Sequence, residues 1–332
     1  MLDLVFHIGM PKCGSTTLQR EVFYNERGYL GTHPNLPPDK NFAKSLQRCG
    51  PYGGRQTLSL KSLQNWIDDL EEIHSKDFSD ETRLILSSEM LSASSKLQKR
   101  PVIDLLKHLS IKSKHPINIK VIVVFRNQPE RLASGYAQDS NTIKQPSQQN
   151  FRAAVEKKLQ RYSHVFDYAT WVEELYSAFS AKNVCVLLLE EASSERFWAE
   201  IKSFADIHHI DPKAMAFRSE ERTRNKRSTD HTTWKLQGYD ASYVAKVKVD
   251  KVMNLLWPHR VLKSQRATFR SSLITKIGWG VESLSSQSFS GQRAKEIERD
   301  DDLREIIANR TSSSNRRLEE ILGREILSLG YP

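Results

Sequence analysis

The stretch His7-Ile-Gly-Met-Pro-Lys-Cys-Gly-Ser-Thr-Thr-Leu-Gln19 decides how this chain reads. Ahead of it, Leu2 to Ile8 is a short apolar run rich in strand formers. Behind it, Thr16 to Asn25 carries Leu18, Val22 and Phe23 at helical spacing, with Gly28 placed to end the helix. The unit is a strand, a glycine-rich turn and a helix. Gly9 and Gly14 allow a tight turn whose backbone N–H groups point inward, and the hydroxyls of Ser15, Thr16 and Thr17 fall where the helix begins, its positive end facing any bound anion. The loop reads as a phosphate cradle. A plain strand-to-helix turn is the alternative for the loop taken alone, and His7 reads as a core strand histidine with a satisfied hydrogen bond.

The spacing of Gly9 and Gly14 resembles the nucleotide-binding pattern G-x-x-x-x-G-K-[ST] with one departure. Ser15 stands where lysine is expected, and Lys12 stands inside the loop instead.

Outward from the loop, the pattern alternates. Tyr29 to about Thr57, with Pro34, Pro37, Pro38 and Pro51, reads as a long loop of the kind that carries function. Leu58 to His74 has the apolar spacing of a helix, and Arg83 to Glu89 reads as a core strand ending in a carboxylate. Pro101 opens a helix marked by Val102, Leu105, Leu106 and Leu109. Ile119 to Phe125 is the most β-branched run and ends at Arg126, with Pro129 suited to a first helical turn. Tyr168, Trp171, Val172, Leu175 and Phe179 mark one helix face, and Asn183 to Leu189 reads as a fourth buried strand. Such alternation predicts an α/β fold of the P-loop type: three layers, a central parallel sheet with helices on both faces, and extra helices at the C-terminus. Ligands gather at the carboxyl ends of such strands, so Lys12, Glu89 and Arg126 are expected to converge on one crevice. The expectation is one domain over residues 1–332, with a core over 1–210 and a mostly helical part over 219–332.

That last part is the least readable. Glu220 to Thr229 looks charged and mobile, its Arg222 to Arg227 run an ordinary solvated face. The mixed stretch 232–290, with Tyr239, Trp257 and Trp279, yields no assignment. At the end, Thr311-Ser-Ser-Ser-Asn315 offers N-cap residues for an amphipathic helix through Leu318, Ile321, Leu322, Ile326 and Leu329, closed by Gly330.

A formal charge of +10, from 50 Lys and Arg against 40 Asp and Glu, points to an anionic partner. Cys13, Cys49 and Cys185 are odd in number and far apart, which suggests neither a zinc site nor a disulfide framework and fits a reducing compartment. With no apolar run near the length of a membrane span and no leader pattern, the chain is expected to be soluble and cytoplasmic.

Pro11-Lys-Cys-Gly-Ser-Thr-Thr-Leu-Gln19 together with Arg126 and Ser134, eight residues on, resembles sulfotransferases that use 3′-phosphoadenosine 5′-phosphosulfate (PAPS). The resemblance covers residues 1 to about 210. Ser314-Asn-Arg-Arg-Leu318 is also similar to the endings of bacterial carbohydrate sulfotransferases. It implies PAPS as donor, 3′-phosphoadenosine 5′-phosphate (PAP) as product, no metal, and a carbohydrate or glycolipid hydroxyl as acceptor. By that resemblance, Pro11, Lys12, Cys13, Gly14, Ser15, Thr16 and Thr17 hold the 5′-phosphosulfate, Lys12 serves the leaving oxygen, and Arg126 and Ser134 hold the 3′-phosphate. Glu89 is the candidate general base and His33, in the long loop, the second candidate. Cys13 occupies a position that varies among small residues in the family and reads as structural.

Two other functions fit parts of the sequence. A P-loop kinase or NTPase would share the fold but needs lysine at position 15. A non-catalytic polyanion-binding module would suit the charge, yet it needs no anion cradle, and no nucleic-acid motif is present.

Overall fold

The computed structural model describes residues 2–30, 60–77, 83–88, 101–112, 116–143, 145–224, 233–238, 240 and 294–332. These fall into two compact units. One comprises Met1–Leu132, Val155–Lys226 and Asp301–Pro332, the other Ala133–Ala154 and Arg227–Asp300.

The first unit is built on four parallel strands, β1 (Leu2–His7), β2 (Arg83–Ser87), β3 (Ile117–Phe125) and β4 (Val184–Leu188), in the order β2-β1-β3-β4. Successive strand residues point to opposite faces, and all five residues of β4 and the last five of β3 are buried, so helices cover both faces of the sheet. The central parallel sheet flanked by helices is the α/β arrangement expected.

Among the described residues the α-helices are, in chain order, α1 (Ser15–Thr17), α2 (Leu60–Asp77), α3 (Pro101–Lys112), α4 (Gln128–Asp139), α5 (Gln148–Arg161), α6 (Ser163–Phe166), α7 (Tyr168–Phe179), α8 (Glu195–Phe204), α9 (Pro212–Arg224) and α10 (Asp301–Leu322). Helix α7 buries Tyr168, Trp171, Val172 and Leu175, the i, i+3, i+4, i+7 face read from the sequence, and Asp167 caps it by accepting from the Thr170 N–H at 3.2 Å. The second unit contains a short antiparallel pair, β5 (Thr233–Lys235) and β6 (Glu296–Glu298), and an ion pair between Arg152 and Asp300 at 2.5 Å.

Three expectations are corrected. The helix after the glycine-rich loop continues from α1 as a π-helical turn over Leu18–Phe23, closed by the Tyr24 N–H on the Gln19 carbonyl at 3.0 Å, and it ends five residues before Gly28. Helix α9 runs on through the charged residues to Arg224, since Glu and Arg are good helix formers. Helix α10 passes straight through Thr311–Asn315: the Thr311 hydroxyl donates to the Ile307 carbonyl at 2.9 Å, and Ser314 and Asn315 are buried by tertiary contacts. It closes at Gly323, in the left-handed region at φ 61°, and Leu327–Leu329 forms a separate 3₁₀ turn before Gly330.

Candidate functional site

In the order β2-β1-β3-β4 the chain moves from β1 to one side and then returns to the other, so the switch point lies between β1 and β3. The loop after β1 and Arg126 after β3 stand on its two sides. Lys12 and Gly14 both adopt left-handed backbone, at φ 70° and 77°. Glycine tolerates this and lysine does not, by about 1–2 kcal/mol, so the loop at Lys12 must be held in shape.

Two arginines hold it. Arg126 Nη1 donates to the Lys12 carbonyl at 3.4 Å, and Arg131 Nε donates to the Pro11 carbonyl at 3.3 Å. Arg131 is buried. Its Nη1 donates to the Val165 carbonyl and to the Tyr168 hydroxyl oxygen, each at 3.1 Å, and its guanidinium lies 4.9 Å above the Phe166 ring. The Tyr168 hydroxyl in turn donates to the Arg126 carbonyl at 2.9 Å. Loop, β3 end and α7 are thus one hydrogen-bonded piece.

With the loop in this shape, the N–H groups of Gly14, Ser15 and Thr16 have no acceptor among the described residues. The Ser15 hydroxyl is buried and unpartnered as well. The buried Ser15 hydroxyl, left unsatisfied, costs about 1–3 kcal/mol, and together with the N–H groups beside it this set of donors suits an anion. Cys13 is buried with its thiol 3.8 Å from the Pro11 carbonyl, in keeping with a structural role.

Arg126 starts the other edge. Its Nη2 pairs with Glu130 at 2.8 Å, and Asn127 caps α4 by accepting from the Glu130 N–H at 2.9 Å. Behind it the Asn127 N–H donates to the half-buried Glu190 carboxylate at 2.9 Å, and the Tyr331 hydroxyl donates to the other carboxylate oxygen at 3.0 Å. Burial raises the Glu190 pKa despite these donors. Gln128 and Asn315 exchange side-chain amide bonds at 2.8 and 3.2 Å, and Asn315 also donates to the Pro332 carbonyl at 2.8 Å.

A cavity of about 250 Å³ opens between these edges. Lys12, Gly14, Thr17 and Arg126 give it a polar, cationic end, and Leu189, Phe197 and Trp198 line an apolar part. Such a cavity matches a ligand that is anionic at one end and flat and apolar at the other.

The chain matches the family described as the sulfotransferase domain over residues 2–229. It belongs to the sulfotransferase family. In solved structures, the fold is similar to a sulfotransferase from Alicyclobacillus acidocaldarius, with a TM-score of 0.50, 15% identity, and 98% of this chain and 97% of that one covered. A weaker likeness, with a TM-score of 0.35 and 14% identity over 83% of this chain and 94% of the other, is to the sulfotransferase domain of the Synechococcus PCC 7002 olefin synthase. Among curated protein sequences none matches significantly.

In this sulfotransferase, the residues read from the first motif and Arg126 lie on one edge of the sheet, and Lys12, Cys13, Gly14, Thr17 and Arg126 line one cavity. Pro11 is half-buried beside Arg131, Ser15 is buried and Thr16 is exposed. Ser134 is half-buried on α4 and belongs to the second unit. Glu89 and His33 lie outside the described residues, as do Cys49, Tyr239, Trp257 and Trp279. The last described residue before Glu89 is Ser88, whose N–H donates to the His7 carbonyl at 3.0 Å at the carboxyl edge of the sheet.

His7 departs from its sequence reading in one respect. Nδ1 is 2.7 Å from the Ser87 hydroxyl, but Nε2 has no hydrogen-bond partner. Arg131 and Glu190 were not singled out by the sequence, and Tyr168 was read there only as part of a buried helix face. For Arg131 the available signal was its place three and four residues after Gln128 and Asn127, on the face of α4 that turns inward. No helix among the described residues is long and apolar enough to cross a membrane, and none of their His, Cys, Asp and Glu side chains form a group that could hold a metal.

Proposed function

We propose that this sulfotransferase takes its sulfuryl group from PAPS and transfers it to a hydroxyl of a carbohydrate or glycolipid, releasing PAP. The supporting observation is that the first loop and Arg126 line one cavity: the loop of Lys12 and Gly14 and the guanidinium of Arg126 stand at its polar end, next to an apolar wall. The unsatisfied N–H groups of Gly14, Ser15 and Thr16 and the orphaned Ser15 hydroxyl fit a phosphosulfate group.

In this reading, Pro11 to Thr17 hold the 5′-phosphosulfate, and Arg126 and Ser134 hold the 3′-phosphate. The donor supplies a sulfuryl group on a good leaving oxygen. Lys12 places a positive charge against the negative charge that builds on that oxygen as the S–O bond breaks. An acceptor hydroxyl is a weak nucleophile until its proton is taken, and Glu89, following Ser88 at the edge of the sheet, is the base, with His33 the second candidate. No metal is required, because cations and N–H groups of the chain neutralise the charge. The whole chain serves as one sulfotransferase domain, and it works in the cytoplasm.

Ser15 in place of the nucleotide-binding lysine favours sulfuryl over phosphoryl transfer, and family membership favours both a donor site and catalysis over passive polyanion binding. The test is a screen of carbohydrate, glycolipid, phenol and amine acceptors with labelled PAPS, alongside binding of PAP and of ATP with and without Mg²⁺. Transfer to a sugar hydroxyl and preference for PAP are expected. Preference for ATP with Mg²⁺ would overturn the donor assignment, and transfer only to phenols or amines would overturn the acceptor class.

A further inference from the structure

Beneath the glycine-rich loop, two buried polar atoms face the same point. His7, at the end of β1, is fully buried, and its Nε2 has no hydrogen-bond partner among the described residues. Ser15, in the first turn of α1, is 3% exposed, and its Oγ has none either. A methyl group on Gly9 would lie 2.5 Å from Nε2 and 2.8 Å from Oγ, so glycine at position 9 is what leaves the space between them open. Two unmade hydrogen bonds at one buried spot are costly, and both atoms border the same small space beside Gly9.

The other side of the imidazole is fixed. Gln19 Nε2 donates to Ser87 Oγ at 3.1 Å, and Ser87 Oγ lies 2.7 Å from His7 Nδ1. Burial holds the ring neutral, with its pKa lowered to about 3, so it carries one ring proton. With Gln19 donating to Ser87, the Ser87 hydroxyl can donate onward to Nδ1, and in that arrangement the ring proton sits on Nε2. The donors then run in one direction, from Gln19 to Ser87 to His7 to Ser15, and the Ser15 proton is left for whatever the loop receives.

We propose that His7 is a positioning residue of the donor loop: Nε2–H donates to Ser15 Oγ and turns that hydroxyl so that its proton points at an oxygen of the bound phosphosulfate. This rests on the donor reading above. It also gives the unpartnered Nε2, the unpartnered Oγ and the glycine at position 9 a single cause.

Asparagine reaches about as far as Nδ1 and glutamine about as far as Nε2, so the two substitutions separate the sides of the ring. The experiment measures PAP binding by calorimetry and melting without ligand for the wild type, His7→Asn, His7→Gln, Ser15→Ala and the His7→Asn/Ser15→Ala pair, with nitrogen NMR of the His7 ring. His7→Asn, which keeps the Ser87 side, is expected to lose about tenfold in PAP affinity, and His7→Gln to restore most of it. The pair is expected to lose no more than Ser15→Ala alone, and the ring is expected to be protonated on Nε2.

Full affinity in His7→Asn, additive losses in the pair, or a ring protonated on Nδ1 would each overturn the role of His7 with the donor site intact. If the His7 variants do not fold, the ring protonation state and its response to Ser15→Ala decide. A wild type that binds no PAP would overturn the donor reading itself.

Discussion

Arg131 Nε donates to the carbonyl oxygen of Pro11 across 3.3 Å, so a buried cation on α4 holds the loop that follows β1. The same guanidinium reaches the Val165 carbonyl and Tyr168 hydroxyl. Lysine keeps the charge but is a point donor that cannot span these acceptors. Arg131→Lys is therefore expected to weaken PAP binding by about tenfold or more, each lost bond to a charged group being worth about 1.5–3 kcal/mol. Unchanged binding in calorimetry would show that the loop keeps its shape without this contact.

Lys12 combines a charged side chain with a backbone better suited to glycine, at φ 70°. Both Lys12→Ala and Lys12→Gly are expected to lose turnover by about a hundredfold or more, as the amine is gone from both. Their stabilities should differ. The glycine variant is expected to be the more stable by about 1 kcal/mol. Equal melting temperatures would contradict the strain, and retained turnover would remove the amine from the chemistry.

Arg126→Ala is expected to weaken PAP binding strongly and to leave binding of adenosine 5′-phosphate nearly unchanged, because the guanidinium is assigned to the 3′-phosphate. Its contact with the Lys12 carbonyl sets the scale for any loss seen with both ligands. An equal loss for the two would reassign Arg126 to shaping the loop.

Glu89→Gln is expected to lower turnover by about a hundredfold while PAP still binds, since the amide cannot take a proton from the acceptor. Turnover that stays at the wild-type level would transfer the role to His33, tested by His33→Gln under the same assay.

The buried His7 makes stability depend on pH. Its pKa in the folded chain is lowered to about 3 from an ordinary 6.5, so the unfolded chain binds a proton that the folded one refuses. This contribution to stability is fully present above pH 6.5 and is lost as pH falls, by about 1.4 kcal/mol per unit, until the folded ring titrates near pH 3. His7→Gln, neutral throughout, is expected to shift the acid-unfolding midpoint to lower pH. An unchanged midpoint would place the acid-sensitive group elsewhere.

Much of this was legible in the residues. The β-branched run before Arg126, the apolar faces at Tyr168 to Phe179 and the glycine spacing at residues 9 and 14 each report a local constraint that the fold keeps. Residues 311–315 misled because serine, threonine and asparagine favour helix ends in isolation. Here Thr311 satisfies its hydroxyl on the preceding turn and Asn315 is matched to Gln128, a partner 187 positions away. The π-helical turn at Leu18–Phe23 left no trace in the spacing, since nothing in Leu18 or Val22 separates one winding from the other; it accompanies the reach of Gln19 to Ser87. Arg131 was hidden for a related reason: an arginine in an otherwise ordinary helix start gives no sign that its acceptors are the Pro11 and Val165 carbonyls and the Tyr168 hydroxyl, all distant in sequence.

The contacts of Tyr331 with Glu190 and of Asn315 with Gln128 tie residues 315–331 to the segments that follow β3 and β4. During synthesis the glycine-rich loop leaves the ribosome first, yet the backing of Arg126 is incomplete until residues 315–332 follow. At about 5–20 residues per second that interval is on the order of tens of seconds. A nascent chain therefore carries its phosphate-binding sequence long before it can hold Arg126 in place, and competence to bind arrives only once residues 315–332 have been made.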